Sequence, residues 1–303
     1  MTRARRHRSR PLPSGAGRKP LHGRTLWLLV AAAVLAATAV VATLWFTGHD
    51  TPAAVAWARL GTADVHSLLF DPADPDRLLF GHHGGLLEAD DGGRTWREST
   101  LTGADAMNVR RLDGARLQIA GHEVFLESAD AGVMWAPVPN DLPGLDLHAF
   151  TVDPAEPDRA WVFAVGHGLY TTTDAGRHWR LLDAGNWGAL ASYVRDDTTM
   201  LVAVGPSGLV RSRDAGESWE PMTYPGAPLA TLAAAEDGSA LYAATSAGLR
   251  RSTDEGSTWS DTGFAGQALA VAVSPSNPDQ VAVVDPDTRF YRSSDAGATW
   301  PGP

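Results

Sequence analysis

The sequence predicts an all-β fold, a six-bladed β-propeller with a recurrent hairpin in each blade, preceded by one N-terminal transmembrane helix. Three observations lead there. A pattern of eight residues ending in tryptophan occurs six times, at Trp96, Trp135, Trp179, Trp219, Trp259 and Trp300, with spacings of 39, 44, 40, 40 and 41. Between the copies, apolar runs of about 4–8 residues rich in Val, Leu, Ala and aromatics alternate with turns containing Asp, Pro and Gly, the pattern of strands rather than helices. Ahead of the first copy lies a segment composed unlike everything after it.

That segment divides in two. Residues 1–24 carry Arg3, Arg5, Arg6, Arg8, Arg10, Arg18, Lys19 and Arg24 and no acid, whereas residues 25–46 carry no charge. Twenty-two uncharged, mostly apolar residues span the ~30 Å hydrocarbon layer as a helix, and Trp27, Trp45 and Phe46 stand where interfacial aromatics anchor a span. A cleaved signal peptide has a shorter apolar region, so an uncleaved anchor is expected: a basic cytoplasmic tail (1–24), a transmembrane helix (25–46), a linker (47–53) and an extracytoplasmic propeller (54–303). The protein has no cysteine, which excludes disulfide stapling and an acylated N-terminal cysteine and leaves stability to the core. All 35 acids lie at or beyond Asp50, against 17 arginines there, which argues against a nucleic-acid partner.

The repeats set the blades. Their sequences are ADDGGRTW, SADAGVMW, TTDAGRHW, SRDAGESW, STDEGSTW and SSDAGATW. A short carboxylate in such a hairpin bonds the backbone N–H groups of its own turn, and the following glycine supplies a positive φ. Asp91, Asp130, Asp174, Asp214, Asp254 and Asp295 are therefore read as structural, since the same box recurs in every blade and a catalytic centre does not. Three strands precede each tryptophan and a fourth follows it, as HSLLFDPADPDRLLFGHHGGLLE and LATLAAAEDGSALYAATSAGLRRS illustrate. The distance from Trp57 to Trp300 is 243 residues, six periods of 40.5, so residues 54–61 are expected to close the ring as the outer strand of the last blade, and the domain is expected to be a monomer.

In a four-stranded blade, the loop leading into the innermost strand and the loop joining the second and third strands open on one face, away from the boxes. Blades one to three place Asp64 and His66, Asp105 and Met107, and Asp146 and His148 in the first loop, at intervals of 41. The second loop carries His82 and His83, then His122 and Glu123, then His167. Blades four to six have neither histidine nor this pattern. Imidazoles with carboxylates and a thioether suit a transition-metal ion, with His66, Met107, His122 and His148 as its expected ligands, copper first for the thioether and zinc second. A polar small-ligand site and hydrogen-bonded loop ends are the other readings of the same residues.

The boxes match the S-x-D-x-G-x-T-W Asp-box, or BNR repeat, and in this the chain resembles the propellers of sialidases, sortilin-type receptors and photosystem assembly proteins. Its D-x-H and G-H elements over residues 57–300 look most like bacterial membrane-associated Asp-box propellers labelled glycosyl hydrolases. The resemblance implies three functions: a ligand-binding propeller, expected first, a sialidase-like glycosidase, and a platform for protein assembly. A sialidase needs an arginine triad, a Tyr–Glu pair and an Arg-Ile-Pro motif, and that motif is absent. The label reflects the fold more than a reaction.

Overall fold

The computed structural model describes residues 53–303; the expected tail and membrane span lie outside the described residues, and so does most of the linker. No helix long and apolar enough to cross a membrane occurs among the described residues. Strands there form six antiparallel sheets of four, and the six-bladed propeller is confirmed. In blade one the order from inside outward is Ser67–Phe70, Leu78–His82, Gly85–Ala89 and Arg97–Thr102. The innermost strands of the next five blades are Asn108–Asp113, Leu147–Val152, Leu190–Arg195, Leu229–Ala234 and Ala270–Val273.

The sixth sheet takes its outer strand from the other end of the propeller. Ala58 lies opposite Phe290 and Arg59 opposite Arg289. Three further backbone bonds extend this clasp: Val55 N to Trp300 O at 2.9 Å, Trp57 N to Phe290 O at 2.8 Å and Leu60 N to Thr288 O at 2.8 Å. The Trp57 ring meets Phe290 edge-on, donates through Nε1 to Pro301 O at 2.8 Å, and lies under the Arg94 guanidinium at 4.7 Å.

Each blade is covered on both faces, so a middle strand such as Val281–Val284 is buried at every position instead of alternately. The core is accordingly six clusters, one per seam. One joins Leu68, Phe70, Leu78 and Phe80 of blade one to Ala270, Ala272, Ala282, Val284 and Phe290 of blade six. Each seam also receives one box tryptophan, Trp96 between blades six and one and Trp300 between five and six.

Within the boxes, Asp254 accepts hydrogen bonds from Ser252 Oγ at 2.7 Å, Thr258 N at 2.9 Å and Thr258 Oγ1 at 2.6 Å. These hold its carboxyl well below the usual range, lowered to about 2, the Thr258 hydroxyl contributing most. Positive φ occurs at the residue before the box glycine as well as at the glycine: Ala175 has φ 56° and Gly176 φ 85°. Blade one instead has glycine at both, Gly92 and Gly93, and where it has Ala89 in place of Ser or Thr, Asp91 keeps the bonds from Arg94 N, Thr95 N and Thr95 Oγ1.

Candidate functional site

The loops into the innermost strands of blades two and three are fixed by backbone pairing with the hairpin loop of the preceding blade. Ala106 N donates to His82 O at 3.1 Å, and Glu123 N donates to Leu145 O at 2.9 Å beside a β-bridge between His122 and Asp146. This approach is close enough that glycine is required at position 81, where a β-carbon would collide with the Ala106 carbonyl of the next blade. The consequence is lateral contact between side chains of neighbouring blades.

Seven side chains form a continuous array. His66 Nε2 lies 2.9 Å from Asp64 Oδ2 and 3.3 Å from Asp105 Oδ1. His83 Nδ1 touches Asp64 Oδ2, and its Nε2 lies 3.5 Å from Asp105 Oδ2. His122 Nδ1 lies 2.6 Å from Asp105 Oδ2, while His122 Nε2 lies 2.9 Å from His148 Nε2 and 3.3 Å from Asp146 Oδ1. His148 Nε2 is in turn 2.9 Å from Asp146 Oδ1. The blade-one end is sheltered and the blade-three end open: Asp105 is 10% exposed and His148 43%. Burial pushes the His66 imidazole down from its usual value, against the pull of Asp64 and Asp105.

Distances of this kind normally mean hydrogen bonds, yet the buried atoms His66 Nε2, Asp105 Oδ1 and Asp146 Oδ1 have no hydrogen-bond partner. The separations fit and the directions do not. By contrast, His178 and Asp174, outside the array, make an ordinary hydrogen bond at 2.7 Å.

Four of the expected site residues are not part of the array. His82 Nδ1 accepts from Gly84 N at 3.1 Å and its ring stacks on Phe80, and burial lowers its pKa. His82 pairs with Gly85 and Gly121 with Val124, so the two-residue loops are His83–Gly84 and His122–Glu123. His83, and not His82, is thus the counterpart of His122. In blade three Ala164 pairs with Gly168, leaving a loop of three residues, and the extra residue displaces His167, which is exposed with its ring against Gly144. Glu123 is exposed at φ 56° and pairs with no cation among the described residues. Met107 is partly buried.

The array stands apart from the axial cavity. That cavity, ≈ 290 Å³, is lined by innermost-strand residues such as Leu69, Arg110 and Ser192 and by Pro72, Gly114 and Pro154 in the turns after those strands. None of the seven array residues lines it. Each array carboxylate already contacts at least one imidazole, an arrangement suited to holding a cation more than to flanking a glycosidic bond.

The family model described as photosynthesis system II assembly factor YCF48 matches residues 55–302. The chain belongs to this family. No curated protein matches it. Among solved structures, YCF48 bound to D1 peptide is 23% identical over 80% of this chain and 82% of its own, with a TM-score of 0.49. A GH74 xyloglucanase from Xanthomonas campestris is 19% identical over 77% of this chain and 45% of its own at a TM-score of 0.50. A putative gluconolactonase is 13% identical over 79% and 91% at 0.60. The last two show a shared fold only. The YCF48 match covers the propeller and supports the expected Asp-box propeller resemblance, whereas no comparison specifically shows the sialidase-like one.

Proposed function

We propose that this protein is an assembly platform: a propeller, tethered outside the cytoplasm by residues 25–46, that binds a protein partner. Membership of a family described as an assembly factor supports the class of activity. One structural observation carries the surface. The two residues before each box tryptophan are mostly charged or hydroxylated, as in Arg94–Thr95, Glu217–Ser218 and Ser257–Thr258, but in blade two they are Val133 and Met134, 58% and 71% exposed. Beside Met134 runs a groove of ≈ 420 Å³ with a floor of Trp135, Pro137, Val138 and Pro139 and a charged margin of Glu127, Asp130 and Arg177. Exposed apolar side chains beside a groove rimmed by polar residues are a usual mark of a protein contact.

The test places a photo-crosslinking amino acid at position 134 of the full chain in its native membranes, with Asp237 as the control position. A discrete crosslinked protein is expected from position 134 alone, lost when Val133→Asp is added. No product, or a product insensitive to Val133→Asp, removes blade two as the docking surface. A binding propeller that uses the histidine array is the second reading, favoured by the unpartnered buried atoms there.

A further inference from the structure

We propose that His122 Nε2, His148 Nε2 and Asp146 Oδ1 hold one zinc ion, with a fourth coordination position open to solvent. The three atoms form a triangle with sides of 2.9, 2.9 and 3.3 Å. Zinc bonds of about 2.0–2.1 Å at tetrahedral angles separate ligand atoms by about 3.3 Å, so each side needs to change by only a few tenths of an ångström. The surroundings of the triangle lead to the same ion. Asp105 Oδ2 lies 2.6 Å from His122 Nδ1 and occupies that side of the ring, which leaves Nε2 as the nitrogen that faces the triangle. His122 Nε2 and His148 Nε2 make one hydrogen bond to each other, and Asp146 Oδ1, within 3.3 Å of both, is buried without a hydrogen-bond partner. A cation at their centre satisfies all three at once.

Asp105 thereby completes a carboxylate–histidine–metal relay, the arrangement that fixes the tautomer and orientation of a ligating imidazole. It is a positioning residue. The other groupings compete less well. At the blade-one end, Asp64 Oδ2 already accepts from His83 N at 2.9 Å, and in the middle His122 Nδ1 and Asp105 Oδ2 stand 2.6 Å apart, closer than two ligands of one zinc ion. Two imidazoles and a carboxylate are a nitrogen and oxygen set of intermediate softness, suited to zinc and needing no thioether from Met107. The open position follows from exposure, His122, Asp146 and His148 being 42%, 47% and 43% exposed.

Calorimetric titration of the metal-stripped full chain in detergent with zinc chloride tests the site. Zinc is the right probe because copper outcompetes it at almost any such donor set. One equivalent is expected to bind; His148→Ala and Asp146→Ala should each weaken binding by at least about 100-fold, and Asp105→Asn by about 10–100-fold, the range for groups that orient a ligand. His178→Ala, in a box hairpin on the other face, should bind as the wild type does. Cobalt(II) substituted for zinc should give an intense visible band that shifts on adding azide, the readout of an open position. Absence of zinc binding in the wild type, undiminished binding by His148→Ala and Asp146→Ala, or a loss that follows His66→Ala instead, overturns the assignment. The titration needs no protein partner, so its outcome and that of the crosslinking experiment are read separately.

Discussion

The six box aspartates show how a residue shared by every blade sets a property of the whole. Each is held below the usual carboxylate range: Asp91, Asp214 and Asp254 foremost by the hydroxyl at the position before tryptophan, Asp130 by the Met134 backbone N–H, and Asp174 and Asp295 by such bonds outweighing their burial. A carboxyl with a depressed folded pKa contributes stability above its unfolded value of about 4 and loses it as pH falls through the folded value. The melting temperature is therefore expected to fall steeply between pH 4 and about 2, the value to which Asp254 is lowered, and less steeply in Asp254→Asn than in wild type. A flat acid limb would contradict this account. The boxes were legible because their chemistry is local, Asp to residues two to four positions away. The array was legible only in part: the 41-residue interval brings out Asp64–His66 and Asp146–His148, but choosing His83 over His82, and setting His167 aside, depends on strand register and on one extra loop residue that the sequence pattern does not display.

Among the elements, the outer strands are the least regular. In blades two, four and five they are two residues long, Ala136–Pro137, Glu220–Pro221 and Ser260–Asp261, whereas blade one has six residues, Arg97–Thr102. Short outer strands limit the exposed edge available for pairing with another chain, and proline in two of them removes a donor. A strand was expected after each tryptophan, but its length left little trace in the sequence, since two residues have no periodicity. The clasp Ala58–Arg59 is equally short, yet Trp57 marks it through its fixed distance from Trp300. Removing residues 54–61 exposes the edge of Arg289–Ser293 and uncovers Phe290, so a loss of several kcal/mol in urea unfolding is expected. Trp57→Ala alone should cost roughly 2–3 kcal/mol, below the full range for a buried tryptophan because its ring is only partly buried. Equal midpoints for truncated and intact protein would show that the clasp contributes nothing.

At the scale of the molecule, the acidic propeller and the basic residues before the uncharged segment predict an orientation with the N-terminus in the cytoplasm. Protease added to intact protoplasts should digest the propeller and leave a membrane-bound stub, and protection of the propeller would reverse that orientation. The ring was the most legible feature of all, since six near-equal intervals admit few other architectures. The clasp adds a mechanical consequence. Chain arriving from residue 53 meets the ring first at Val55, Trp57 and Leu60, whose N–H groups bond the last blade. Any tension along the preceding segment thus bears on those few bonds and on the Trp57 contacts before it reaches a hydrophobic seam. The strand that seals the circle is also the grip by which the propeller would be pulled, and under load it is the seal that yields first.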